Sequence, residues 1–99
     1  MQNLIKSMIK ESAETKGSVQ ELSPQIEKSV QLIINALKNN KKIVIAGNGG
    51  SAAMSSHIAA EFVGRYKIER RGLPAIALAS DLAAITAIGN DYGFGAVFE

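Results

Sequence analysis

Ile43-Val44-Ile45-Ala46-Gly47-Asn48-Gly49-Gly50-Ser51 is the segment that decides the fold class. Its first four residues are apolar, three of them β-branched, and polar on neither face. Such a run is expected of a strand covered on both sides in a parallel sheet. The glycines end the strand and allow a tight turn, with Ser51 as the expected N-cap of a following helix. That helix reads to about Arg65 or Tyr66, with small residues in its first turn and Ala59, Phe62, Val63 and Tyr66 as its buried side. A second apolar run, Pro74-Ala75-Ile76-Ala77-Leu78-Ala79, reads as the next strand. Strand, glycine-rich turn, helix and strand together make a βαβ unit, so the class is α/β with a parallel sheet. Ser80-Asp81 then caps a short alanine-rich helix from Leu82 to Ile88, expected to stop at Gly89.

Toward the N-terminus the period changes to that of helices. Leu4, Ile5, Met8 and Ile9 form one stripe, interrupted at Gly17-Ser18. Ser23-Pro24 is expected to open a second helix, with serine as N-cap and proline in the first turn, where a missing N–H costs nothing. Its apolar positions are Ile26, Val30, Ile33, Ile34 and Leu37, and Asn39-Asn40 supplies a left-handed stop. Residues 1–40 thus form a helical preamble, and residues 41–99 carry the first βαβα units of a single domain.

The 99 residues exclude two domains, and a chain of this size buries a modest core, so partner chains are expected. The absence of cysteine excludes a disulfide scaffold and a thiolate metal site. A net charge of +2 is too small to argue for nucleic acid. No apolar run reaches the ~18 residues of a membrane span, and the N-terminus lacks the pattern of a signal peptide, so the expectation is a cytoplasmic protein. Val97-Phe98-Glu99 closes the chain without a helix stop or polar tail, which reads as an interruption.

The glycine-rich turn opens onto a helix N-terminus, where backbone amides favour an anionic or hydroxyl-rich guest. It matches neither the dinucleotide fingerprint nor the phosphate loop of nucleotide hydrolases, and a plain tight turn explains the glycines equally well. His57 and Glu61 stand four apart on the expected helix and share a face. They suit two ligands of a zinc-type site, or a base and its partner. On spacing alone the stronger reading is plainer: Glu61 paired with Arg65, and His57 a polar surface residue. Arg65, Lys67, Arg70 and Arg71 crowd around Tyr66, but Glu69 dilutes the charge, and a solvated loop or subunit contact is expected there. Asn90-Asp91-Tyr92-Gly93 has turn chemistry.

Taken together, Gly47 to Ser51, His57-Ile58-Ala59-Ala60-Glu61-Phe62, Gly64-Arg65-Tyr66, Leu73 to Leu78 and Ile88 to Phe94 closely resemble one family. It is the phosphoheptose isomerase (sedoheptulose 7-phosphate isomerase) family of the sugar-isomerase (SIS) domain superfamily. The likeness runs from about residue 43 to residue 98, and the two N-terminal helices fit the family's helical preamble. The resemblance implies a three-layer α/β/α fold around a parallel sheet, and a homotetramer with active sites at subunit contacts. It also implies conversion of sedoheptulose 7-phosphate to D-glycero-D-manno-heptose 7-phosphate through an enediol or enediolate, for lipopolysaccharide or capsule. By position, Asn48, Gly49, Gly50, Ser51, Glu61, Asn90 and Asp91 would meet the sugar phosphate. His57 and Glu61 would be two ligands of Zn2+, and Glu61 would also be the catalytic base. Those last two roles compete, because coordination to a divalent cation lowers a carboxylate's basicity.

The chain departs from the family where the chemistry would be completed. The serine- and threonine-rich phosphate loop, and the later helix whose glutamine and histidine complete the zinc site, have no counterpart in these residues. Met54 stands where relatives commonly carry aspartate, and Ala79, Leu82 and Ala83 replace hydroxyl residues often found around Asp81. The reading is therefore the N-terminal half of an isomerase, inactive as 99 residues alone. Two alternatives belong to other classes: a non-catalytic SIS-domain adaptor of the kind that associates with the bacterial replication initiator, and an inactive truncated oligomerisation module. The adaptor lacks a glutamate at the position of Glu61, which tilts the choice toward an enzyme.

Overall fold

The stripe of Leu4, Ile5, Met8 and Ile9 lies on α1 (Gln2–Ser18) in the computed structural model, which describes residues 1–99. Gly17-Ser18 does not interrupt the helical course. A 3-10 turn at Val19–Leu22 leads directly into α2 (Ser23–Lys38). Ser23 is therefore not the N-cap that its place before proline suggests. Its backbone is already helical, at φ −50° and ψ −41°, and its hydroxyl donates back to the Gln20 carbonyl. The preceding turn has taken over the role of a cap, and Pro24 still sits where no amide is needed.

The end of α2 agrees with expectation. Asn40 takes a left-handed φ of 55°. The Lys41 amide donates to the Ala36 carbonyl at 2.9 Å and the Asn40 amide to the Leu37 carbonyl at 3.2 Å, a Schellman closure.

The chain divides into two compact units, Met1–Ile34 and Asn35–Glu99. In the first, α1 and the 3-10 turn bury no residue, and neither does α2, which continues past its end. Leu4, Ile5, Met8 and Ile9 are all exposed.

The second unit contains the βαβ arrangement: β1 (Ile43–Ile45), α3 (Gly50–Val63) and β2 (Ala75–Ala77). The strands pair in parallel, in the register Ile43 to Ala75, Val44 to Ile76 and Ile45 to Ala77. Because side chains alternate across a strand, Ile43, Ile45, Ala75 and Ala77 share the face on which α3 packs. Buried small residues, Ser55 and Ala59 on α3 and Ala77 on β2, let helix and sheet approach closely. The Ser55 hydroxyl is satisfied by donating to the Ala52 carbonyl at 2.8 Å.

The expectation of a strand covered on both sides is corrected within this unit. Val44 and Ile76, paired on the opposite face, remain 52% and 48% exposed, because α3 is the helix packed on this sheet. Val63 and Tyr66, expected on the buried side of α3, are also exposed. The helix ends at Val63 with Gly64 as its C-cap, so Tyr66 lies beyond it, and the face that packs is Ser55, Ala59 and the half-buried Phe62.

After β2 a 3-10 turn (Leu78–Ser80) leads to α4 (Leu82–Asp91). Asp81 caps it, its carboxylate accepting from the Ala84 amide at 3.0 Å. Gly89 does not stop the helix, which runs on to Asp91. The left-handed position falls instead at Gly93, with φ 92°.

Candidate functional site

The site is built where β1 passes into α3. Gly47 must be glycine, because a Cβ there would collide with the backbone carbonyl of Ser51, across the tight turn. Gly49 has φ 56° and ψ −125°, a conformation that side chains resist, and it is the N-cap of α3. Ser51, expected to cap the helix, lies inside its first turn, because the helix already begins at Gly50, after Gly49 in a backbone conformation that serine would resist.

The amides of that first turn are partly occupied. The Ser51 amide donates to the Asn48 carbonyl at 3.0 Å and the Ala52 amide to the Gly49 carbonyl at 3.1 Å. The tight-turn reading of the glycines accounts for these two groups, leaving fewer amides for a ligand. Asn48, Gly49, Gly50 and Ser51 are all exposed.

One face of α3 then carries Gly50, Ala53, Met54 and His57, which line an open concavity of about 290 Å³. Glu61 lies one turn further along. His57 and Glu61 meet: Nε2 of the imidazole stands 3.4 Å from Oε1 of the carboxylate, with the side chains 72% and 38% exposed. They lie opposite Ser55 and Ala59, so the sheet holds the helix while the polar pair faces outward. The pairing of Glu61 with Arg65 does not form. Arg65 instead pairs with Glu69, and the Glu61 carboxylate is given to His57.

The separation suits two ligands of a metal as well as a polar contact between the two side chains. Two zinc bonds of about 2.0–2.2 Å at a tetrahedral angle place their donor atoms ~3.4 Å apart, so imidazole and carboxylate are spaced as two ligands of one ion. No group of three His, Cys, Asp or Glu side chains able to hold a metal occurs among these 99 residues. The pair fits as part of a ligand set and does not complete one.

Asn90 and Asp91 lie in the last turn of α4 because that helix passes Gly89. The Asn90 amide donates to the Asp91 carboxylate at 2.9 Å, and both are exposed. The structure couples them to each other. α4 packs chiefly on the turn just beyond it, Phe94–Ala96.

Arg70 is the residue that sequence reasoning misplaced. Grouped with a solvated basic cluster, it is instead half-buried and turned onto the end of α3. Nη2 donates to the Glu61 carbonyl at 2.7 Å, while Nη1 lies 2.9 Å from the carbonyls of Phe62 and Gly64 and 3.1 Å from that of Arg71. A positive charge is expected among the last residues of a helix, but Arg70 reaches it from a loop, with nothing local to mark it. Of its neighbours, Lys67 lies over the ring of Tyr66, 5.3 Å from its centre.

Comparison with known proteins matches residues 8–99 to the model of the SIS domain family. The phosphoheptose isomerase of Geotalea daltonii is 56% identical over 96 residues, covering 96% of this chain and 50% of the relative. That of Helicobacter hepaticus is 52% identical over 99 residues, covering all of this chain and 50% of its own. Among solved structures, a phosphoheptose isomerase from Neisseria gonorrhoeae superposes with a TM-score of 0.88 at 40% identity, over 98% of this chain and 50% of that one. One from Francisella tularensis gives 0.90 at 34% identity, over 97% and 51%. The chain spans about half the length of the curated relatives it matches.

Proposed function

The chain belongs to the SIS domain family, and from that membership we propose that it contributes to an aldose–ketose isomerase acting on sedoheptulose 7-phosphate. The observation that carries the proposal is the His57–Glu61 pair, 3.4 Å apart on an exposed helix face just beyond the Gly47–Ser51 turn. Similarity to phosphoheptose isomerases supports the choice of substrate, and the product in this reading is D-glycero-D-manno-heptose 7-phosphate. Such a product serves heptose units of lipopolysaccharide or capsule, made in the cytoplasm. No helix of the protein is long and apolar enough to cross a membrane.

The chemistry asked of the residues is modest and redox-neutral. Glu61 takes a proton from C1 of the ketose, the electron pair left on carbon forms the C1–C2 double bond, and the carbonyl pair moves to O2, which takes a proton from water to give the enediol. A proton returns to C2 while O1 gives up its own, leaving the aldehyde at C1. His57 accompanies Glu61 and orients its carboxylate. Asn48, Gly49, Gly50 and Ser51 bind the sugar at the open turn, and Asn90 and Asp91 receive its hydroxyls.

His57 and Glu61 also hold a zinc ion in this reading, with the remaining ligands coming from outside these 99 residues. When bound, the cation would polarise the substrate's oxygens and stabilise developing negative charge. Assembly is as a homotetramer with active sites at subunit contacts. The exposed apolar stripe of α1 and the unburied α2 support the need for partner chains.

The test is direct. Sedoheptulose 7-phosphate is incubated with the protein made from the complete coding sequence, and the sugar is monitored by NMR. Appearance of the aldose phosphate is expected; its absence from correctly folded, zinc-supplied protein would overturn the proposal.

A further inference from the structure

We propose that Arg70 is a positioning residue for Glu61, holding the last turn of α3 so that the carboxylate stays beside His57. The inference rests on the isomerase reading for what Glu61 does, but on geometry alone for how it is held.

The last four carbonyls of a helix have no partner within it, so the final turn frays unless something outside binds them. Glu61 sits in that final turn, two residues before the helix ends at Val63, whereas His57 lies a full turn further inside. The Ala60 carbonyl is closed by the Gly64 amide at 2.8 Å. The next two depend on the loop between α3 and β2. The Glu61 carbonyl accepts from Nη2 of Arg70 at 2.7 Å, and the Phe62 carbonyl accepts from Nη1 at 2.9 Å and from the Leu73 amide at 2.8 Å. Nη1 also reaches the Gly64 carbonyl at 2.9 Å, which ties the C-cap to the same guanidinium.

A single planar fork therefore spans three carbonyls at the helix end, and a lysine ammonium could not do so from one point. Loss of the fork frees the turn that carries Glu61 while leaving the turn of His57 in place. The pair separates because one of its members loses its footing.

The imidazole Cε1–H resonance of His57 in a proton–carbon spectrum, assigned by its loss in His57→Ala, reports on the pairing. That resonance is recorded at one fixed pH, without metal, for the wild-type protein from the complete coding sequence and for its Glu61→Gln, Arg70→Gln and double variants. Arg70→Gln is expected to displace it in the same direction as Glu61→Gln and by at least half as much, and to add nothing in the Glu61→Gln background. Arg70→Lys is expected to restore only part of the wild-type position. A folded Arg70→Gln chain with the resonance unmoved, or a displacement that persists undiminished without Glu61, would overturn the proposal.

If Arg70→Gln does not fold by circular dichroism, amide exchange in the wild-type chain decides. Protection from Glu61 to Gly64 comparable to that of the turn around His57 is expected, and rapid exchange confined to those last amides contradicts it. None of these readouts requires turnover, so a protein without isomerase activity would sink the functional proposal and leave this one standing or falling by itself.

Discussion

The Nε2 atom of His57 and the Oε1 atom of Glu61 stand 3.4 Å apart across one turn of α3, on the face turned away from the sheet. That separation suits two chemistries, a base in polar contact with its partner and two donors on one tetrahedral cation. The distinction between them is experimental.

If the pair holds zinc, each member matters separately. His57→Ala and Glu61→Gln are each expected to weaken zinc binding by at least about tenfold, since losing a residue that merely supports a ligand already reaches that size. Calorimetric titration of zinc into the product of the complete coding sequence measures this. Unchanged affinity in both variants would remove the metal from the site.

The turn between β1 and α3 makes separable demands at three glycines. Gly47→Ala is expected to cost about 1–3 kcal/mol, because its methyl meets the Ser51 backbone. Gly49→Ala meets open space but is held at φ 56°, so about 1–3 kcal/mol is lost to strain. Gly50→Ala meets nothing within 4 Å and begins a helix, where alanine should be neutral or gain up to about 1 kcal/mol. Urea unfolding of the three variants checks the order, and equal losses would contradict the account of the turn.

Much of this architecture was legible in the sequence, for reasons that lie close along the chain. The β-branched Ile43-Val44-Ile45, the left-handed Asn40 and the capping Asp81 each act through their own backbone or an immediate neighbour. The readings that failed needed information from further away. Ser23 and Ser51 are good caps only if no other residue has already set the helix start, and the Val19–Leu22 turn and Gly49 had done so. Gly89 could end a helix but does not oblige it to, and Gly93 took the left-handed position. Arg70 meets the Glu61 carbonyl nine residues back through a loop, and spacing rules for a helix face say nothing of such a contact. The His57–Glu61 pairing was visible from its four-residue interval, although that interval serves Arg65 equally well. The structure decides between them, because Arg65 turns to Glu69.

The helical preamble carries its own prediction. Ile5 and Ile9 lie one turn apart on α1 and are exposed, as a stripe awaiting a partner would be. If the proposed tetramer forms through this stripe, Ile5→Glu combined with Ile9→Glu is expected to lower its mass toward monomer in sedimentation equilibrium. An unchanged tetramer would place the subunit contacts elsewhere.

The isolated 99 residues are expected to leave sedoheptulose 7-phosphate unaltered, because the metal-ligating set is incomplete within them. A chain verified by mass to end at Glu99 is the sample required. Measurable production of the aldose phosphate by that chain would contradict a site divided between these residues and others.

The role of Glu61 as the base is tested most directly by hydrogen exchange in D2O. Wild-type protein from the complete coding sequence should place deuterium at C2 of the aldose phosphate and, through the reverse reaction, at C1 of the ketose. Glu61→Gln, assayed with zinc in excess so that weakened binding is compensated, should lose both exchanges and turnover by about 10²–10⁴-fold, the contribution expected of a positioned general base. Exchange in Glu61→Gln at a rate close to wild type would contradict the account.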